Sequence, residues 1–475
     1  MNPQIVDRRT FLNRLGTGLL GGAAALTLGR YAAGESSHDR LNIIFILIDD
    51  FGWTDLACYG SPFYETPHID RLAGEGMKFT DAYSACTVCS PTRAAIMTGK
   101  YPARLGITDW IPGHNRPFAK LRIPAIHNQL ALEETTIAEV LNPSGYACAH
   151  VGKWHLGGDP FYPDAQGFDI NVGGNYLGHP PSYFSPYKMP IMKEGPEGEY
   201  LTDRLGDEAV CFIEKNRDRP FFLYFAHYAV HNPLQAKKEI IEHYQAKADP
   251  NARHNHPIYA AMIHSVDETV GRILETLEKQ GIADRTVIFF TGDNGGLLPN
   301  TSNAPLRAGK GSAYEGGVRV PLLVRWPGVT PPGSVCAEPV ISVDYFPTIA
   351  QMANVPAGSG EVDGVSLVPV LRDPQAALGR EAVYWHYPHY HPGGAAPYGA
   401  VRRGEYKLIE FFEDGKLELY NLKEDVGESN DLSQKLPDVT SALRQDLAAW
   451  RARVNAQMPR PNPDYDPEKA GERGR

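Results

Sequence analysis

The run Leu41-Asn42-Ile43-Ile44-Phe45-Ile46-Leu47-Ile48 limits the possible folds more than any other stretch of this 475-residue chain. Its apolar, β-branched residues do not alternate with polar ones, so it does not read as a strand with one wet face. A strand of this kind belongs in a sheet covered on both sides, most simply a parallel sheet between helices. Phe221 to Phe225 and Thr286 to Phe290 repeat the pattern, and Gly145 to Val151 and Pro321 to Trp326 read as further strands. Helical signals lie between them. Thr136 and Glu139 form a capping-box pattern, and Met262, Val266, Val270, Ile273 and Leu277 recur at helical spacing before Gly281. The expected fold class is α/β. After about Pro374 the texture changes to a hairpin (Tyr406–Ile409 with Leu417–Tyr420), a helix from about Pro437 to Val454 and a Pro-rich charged tail.

In open α/β sheets, ligands gather beyond the carboxyl ends of the strands. The first run ends in Asp49-Asp50, and the Thr286 run is followed by Asp293-Asn294. These four side chains supply oxygen ligands, which suit a hard cation such as calcium or magnesium rather than a soft metal. Lys153 and His155 follow the Gly145 run, and His227 and His231 follow the Phe221 run. On residue types alone, a polar turn at Asp49-Asp50 and a surface lysine beside a packed histidine remain open readings.

Cys89-Ser90-Pro91-Thr92-Arg93 reads as a helix start, with Ser90 as cap, Pro91 at the first helical position and Gly99 as the stop. Cys89 then stands just outside, at the positive end of the helix dipole and one turn from Arg93. That setting favours a negatively charged group, so an anionic substrate can dock there. A structural cysteine beside an ordinary cap is the alternative.

A net charge of −10 argues against non-specific nucleic-acid binding, and 42% apolar with 21% charged residues is the balance of a soluble globular protein. At the N-terminus, Asp7-Arg8-Arg9-Thr10-Phe11-Leu12 precedes a short, glycine-rich apolar run from Leu15 to Leu28. Twin arginines in that position read as a Tat-type export signal over residues 1–34, not a membrane anchor. The expectation is a periplasmic or secreted protein, handled by the Tat machinery and free of the membrane once the signal is removed.

The Cys89–Arg93 stretch, with Ala94-Ala95-Ile96-Met97-Thr98-Gly99 behind it, resembles the C-x-P-x-R signature of the sulfatases. Gly152-Lys153-Trp154-His155 matches the second signature of that family, with Cys148 where Ser or Thr is usual. His231 stands two residues before Pro233 as in the family, and Leu306 to Gly311 and Tyr314 to Pro321 also fit its pattern. Thr87 departs from the smaller residue or proline that is usual.

The resemblance implies an alkaline-phosphatase-like fold: a mixed, mostly parallel sheet between helices (35–375) and a small C-terminal antiparallel-sheet subdomain (376–475). It implies a sulfuric ester hydrolase, with sulfated carbohydrates as the expected substrates and sulfated small molecules as the alternative. Cys89 would be converted to Cα-formylglycine (3-oxoalanine) by a formylglycine-generating enzyme before export. Calcium, with magnesium possible, would be bound by Asp49, Asp50, Asp293, Asn294 and residue 89. Arg93, Lys153 and Lys310 would hold the sulfate, while Lys310 and His231 would serve the leaving oxygen. Asp293 would help deprotonate one hydroxyl of the aldehyde hydrate. His155 would take the other hydroxyl's proton, so that sulfate leaves and the aldehyde returns. His227 is expected to support His231, and Arg319 to serve as an internal ion-pair partner. Specificity is expected around Trp110, Tyr176–His179 and His386–His391, the last read as a recognition loop. A phosphonate monoester or phosphodiester hydrolase, and a silent sulfated-glycan-binding protein, are the rival readings.

Overall fold

In the computed structural model, which describes residues 40–358 and 360–474, the apolar run forms strand β1 (Asn42–Ile48), and all seven of its residues are buried. The export-signal reading falls on residues 1–34, outside those described. An eight-stranded sheet joins β1 to β2 (Met77–Phe79), β3 (Ala147–Gly152), β4 (Ile170–Val172), β5 (Phe221–Ala226), β6 (Thr286–Gly292), β7 (Leu322–Arg325) and β8 (Ser334–Cys336). Their order is β8-β2-β7-β6-β1-β5-β3-β4. The block β6-β1-β5-β3-β4 is parallel throughout, and β7 runs against both of its neighbours.

The helices that matter for the site and its frame are α1 (Pro67–Glu75), α2 (Cys89–Thr98), α3 (Leu201–Asn216), α4 (Pro257–Lys279) and α5 (Pro437–Arg453). Ile44, Ile46 and Ile48 pack into one core with Leu72 of α1, Leu205 of α3 and Val266 of α4. Ile43, Phe45 and Leu47 join a second core with Ala94, Ile96 and Met97 of α2. Both faces of β1 are therefore dry, which is why its sequence does not alternate. Each fully buried Ile, Leu or Phe contributes about 1.5–3 kcal/mol.

Three local expectations about α2 need correction: Cys89 just outside it, Ser90 as its cap and Pro91 at its first position. The helix starts at Cys89 itself, with Val88 as an extended N-cap, and no side chain caps it. Pro91 is then its third residue, still among the first four amides that lack an intrahelical acceptor. Ser90 Oγ instead accepts the amide of Ile111 at 3.1 Å. Gly99 does end the helix, with φ +68°, and the Thr136–Glu139 capping box forms as its pattern predicts.

A four-stranded antiparallel sheet, β9 (Ala382–Tyr387), β10 (Tyr398–Arg403), β11 (Tyr406–Phe411) and β12 (Leu417–Asn421), meanders in chain order under α5. Trp385, His386 and Tyr387 lie in β9 rather than in a loop, and all three are buried. Trp385 and Tyr387 share a core with Val88 and Ala95, which locks the small sheet against the start of α2. The C-terminal tail also has a fixed place: Arg460–Pro461 pairs with Leu121–Arg122, and Asn462 Nδ2 donates to the carbonyls of Pro117 and Ala119.

A buried charge network also ties the small sheet to the segments that carry Asp81, Glu315 and Arg319. Lys407 of β11, fully buried, lies 2.8 Å from Glu315 Oε1 and 3.1 Å from Glu428 Oε1. Arg319 pairs with Glu315 and Asp81, as an internal ion-pair partner should, and Arg402 also pairs with Asp81. Burial pushes the Glu428 carboxyl up to about 7 against the pull of Lys407, with Glu315 adding to the rise. Burial also raises Glu315, but Lys407 and Arg319 outweigh it and hold that group below its usual range. Between the ordinary glutamate value and about 7, the folded chain keeps a proton on Glu428 that the unfolded chain has lost. This contribution to stability is complete below the unfolded value and is lost as pH rises through the folded one. Thermal melts of Glu428→Gln against the parent from pH 4.5 to 8 should show a shallower fall with pH for the variant. Identical slopes would contradict this assignment.

Candidate active site

Four adjacent parallel strands, β6, β1, β5 and β3, each release a polar segment at the same carboxyl edge of the sheet: Asp293-Asn294, Asp49-Asp50, His227 to His231, and Lys153 to His155. The N-terminus of α2 brings Cys89 and Arg93 to the same place. Asp50 and His155 both adopt left-handed backbone, with φ of +58° and +57°. Such strain in non-glycine residues clusters at functional sites.

Cys89 is buried, and its Sγ lies 3.3 Å from His155 Nδ1. Burial raises the thiol's pKa although Lys153 and Lys310 oppose the rise, so the unmodified group stays a thiol. His155 Nε2 is 2.6 Å from the carbonyl of Ile111, whose own amide is held by Ser90. One residue of the 109–113 loop, Ile111, therefore ties the imidazole to the first turn of α2. Burial and then Lys153 depress the pKa of His155 well below the ordinary value, so its ring is neutral at pH 7. With Nε2–H donating to Ile111, Nδ1 is the nitrogen free to accept a proton.

Arg93 is pinned by three contacts. Its Nε and Nη2 reach Asp293 Oδ2 at 3.0 and 2.8 Å, and Nη1 donates to the carbonyl of Lys153 at 2.9 Å. Lys153 Nζ lies 2.5 Å from Asp49 Oδ2, and Lys310 Nζ lies 2.6 Å from Asp50 Oδ1. Asp293 Oδ1 accepts the amide of Asp50, so both oxygens of Asp293 accept hydrogen bonds, while the side chain of residue 89 meets His155. Burial, reinforced by Asp293, pushes the Asp49 carboxyl up to about 8. Burial acts on Asp50 too, but Lys310, His231 and Asn294 outweigh it and hold Asp50 below its usual range.

Three buried oxygens at this edge, Asp49 Oδ1, Asp50 Oδ2 and Asn294 Oδ1, accept no hydrogen bond among the described residues. Unpaired buried oxygens cost free energy unless something positive meets them. Asp49, Asp50 and His231 each bring a potential ligand atom within 4.8 Å of the others. The donor set fits a hard cation, and Asp49 sits where a cation would replace the proton that burial forces upon it. His231 joins this cluster, with Nε2 3.6 Å from Asp50 Oδ2.

A pocket of about 390 Å³ opens over Cys89, lined among others by Trp110, His155, His179, His231, Lys310 and His391. His227 does not support His231. Its Nε2 lies 3.3 Å from Thr269 Oγ1 of α4, and the ring of His179 stacks on His231 instead. The histidines of 386–391 part ways: His386 bonds the carbonyl of Gln457, His389 bonds Thr108, and His391 lines the pocket. The carbonyl of Ile111 and the wall residue Leu297 are contributions that the sequence did not signal, because a main-chain acceptor and a lone leucine carry no motif. Gly178 backs the site: a Cβ there would stand 2.6 Å from the His155 ring. Gly178→Ala should displace that ring and lower kcat by about 10²-fold. Full turnover by this variant would show that His155 need not be held where it is.

Known proteins resemble this chain in sequence and in fold. The Sulfatase family model matches residues 41–355, and the model for the N-sulphoglucosamine sulphohydrolase C-terminal region matches residues 309–453. A "Sulfatase" of Formosa agariphila is 33% identical, covering 89% of this chain and 90% of that protein. Human arylsulfatase A is 32% identical, covering 92% of each. The crystal structure of Ps i-CgsB in complex with k-i-k-neocarrahexaose superposes with a TM-score of 0.76 at 31% identity, over 90% of this chain and 95% of that one.

Proposed function

The chain belongs to the sulfatase family, and we propose that this enzyme releases inorganic sulfate from sulfated carbohydrates, using formylglycine at position 89 and a calcium ion, with magnesium as the alternative. The observation that carries the proposal is the placement of Cys89 and Lys310 on one pocket, with Arg93 and Lys153 buried beside them and three buried oxygens that accept no hydrogen bond among the described residues. Asp49, Asp50 and Asn294 would hold the ion through those oxygens, with Asp293 and residue 89 completing the set and His231 at its border. When present, the aldehyde hydrate supplies a nucleophile that can leave its own sulfate ester by reverting to the aldehyde, and the ion neutralises charge on the sulfate oxygens.

The side chains divide the remaining work. Arg93 stays charged under its carboxylate partners and presents a fixed guanidinium. With Lys153 and Lys310 it would orient the sulfate and stabilise the charge that grows on its oxygens. Lys310, held protonated by Asp50, is suited to give a proton to the departing alcohol oxygen, with His231 beside it. His155 Nδ1, neutral and 3.3 Å from the residue 89 side chain, is suited to accept the proton whose loss frees the sulfate. Cys89 is only 3% exposed, so its conversion would precede folding, in keeping with maturation before export.

The carbohydrate assignment draws on the oligosaccharide complex of Ps i-CgsB. Export to the periplasm or medium draws on the twin arginines at Arg8-Arg9. Among the described residues no helix is long and apolar enough to cross a membrane. The test is turnover of 4-nitrophenyl sulfate against bis(4-nitrophenyl) phosphate by matured enzyme with calcium. The sulfate should be the better substrate. Preference for the diester would transfer the site to the phosphodiester and phosphonate hydrolases, and binding of sulfated glycans without turnover would favour the silent reading.

A further inference from the structure

Beside the Cys89 pocket lies a larger cleft of about 740 Å³, and Pro112 lines both spaces. Two short segments form the wall between them. On the first, Asp109 borders the cleft while Trp110 and Ile111 border the pocket; on the second, His389 borders the cleft and His391 the pocket. The opposite side of the cleft is the C-terminal tail, held on the 115–122 segment by the Asn462 bonds and by the amide of Gly474 donating to the carbonyl of Asn115.

Residues that line the cleft carry polar atoms that the fold leaves without a hydrogen bond. His114 Nε2, Arg116 Nε and His389 Nδ1 are buried and have no hydrogen-bond partner among the described residues. Buried groups of this kind are met by water or by a ligand. His114 stacks flat on Trp110, 4.7 Å between centroids and 9° between planes, so a ring system runs from the pocket towards the cleft. The charged side chains on the walls balance: Arg116 and Arg122 against Asp109 and Asp464, with Arg122 and Asp464 already paired at 3.1 Å. A balanced set of donors and acceptors beside an aromatic face does not select a polyanion. It fits a sugar ring, whose hydroxyls both donate and accept.

Building on the function proposed above, we propose that this cleft binds the sugar residue adjoining the sulfated one, so that the enzyme recognises oligosaccharides rather than single sulfated sugars. The path from the pocket crosses Pro112, and the C-terminal tail forms the outer wall of this second subsite.

The test is steady-state kinetics of matured enzyme on 4-nitrophenyl sulfate and on 6-sulfated galactosamine, glucosamine and galactose series from one to six sugars long. In the series that is turned over, kcat/KM should rise by about tenfold or more between one sugar and two or more. His114→Ala and Arg122→Ala, on separate sides of the cleft, should each erase most of that gain through KM while kcat stays within about twofold. Equal kcat/KM at every length overturns the proposal, as does a parallel loss at all lengths in both variants, which would mean structural damage or a cleft that holds water only. Turnover of the aryl sulfate with no sugar series accepted also overturns it, while leaving sulfate-ester hydrolysis intact. Failure on the aryl sulfate as well would instead remove the functional reading beneath it.

Discussion

Cys89→Ala should lower sulfate release by about 10⁴-fold or more with the fold intact. Alanine is a good helix former at the head of α2, and the side chain it replaces makes one polar contact, to His155. The loss should appear in kcat, because Arg93, Lys153 and Lys310 would still hold the sulfate. Cys89→Ser separates two ideas. A serine that is not converted to the aldehyde can attack sulfur and expel the alcohol, but its sulfate ester has no second hydroxyl through which to collapse. At most one equivalent of alcohol should be released per enzyme, with no sustained release of sulfate. Rapid-mix measurements of 4-nitrophenol would show that burst, and steady turnover by Cys89→Ala would refute the assignment of the nucleophile.

Lys407→Ala should have the largest effect on stability, about 3–5 kcal/mol. It removes the lysine that faces both Glu315 and Glu428 in the buried network, leaving two dry carboxylates near each other. Denaturant unfolding at pH 7.5 should show a lower midpoint. The triple variant Lys407→Met, Glu315→Gln, Glu428→Gln should recover much of the loss, because it discharges the site instead of breaking one pair. A loss below about 1 kcal/mol in Lys407→Ala would mean that solvent reaches the network. The active site lies elsewhere, so turnover per folded molecule should change far less than the midpoint.

The central sheet was legible because β1, β5 and β6 are apolar on both faces, and few other folds use such strands. The polar residues after them were legible as site candidates for the same reason, since strand ends collect at one edge. What the sequence left dark was three-dimensional. Whether Ser90 caps α2 or catches the Ile111 amide depends on a loop 21 residues away. His227 and His231 are four residues apart on one segment, yet one faces Thr269 and the other Asp50, a division that spacing alone does not give. The start of the 386–391 segment looked like a loop because Pro388 and the histidines obscure the end of a strand whose aromatic residues Trp385 and Tyr387 are buried, whereas 388–391 lies outside any strand. The tail read only as a charged extension, because its anchors are backbone carbonyls of a distant loop.

The most direct measurement is mass spectrometry of the tryptic peptide Phe79 to Arg93, from protein made in a host able to mature sulfatases and in the same preparation assayed for sulfate release. Cys86 in that peptide serves as the internal comparison, being buried like Cys89 but outside the C-x-P-x-R motif. An aldehyde at position 89 with Cys86 still a thiol is the expected result. A thiol at position 89 in enzyme that nonetheless releases sulfate at a sustained rate would contradict the proposed chemistry.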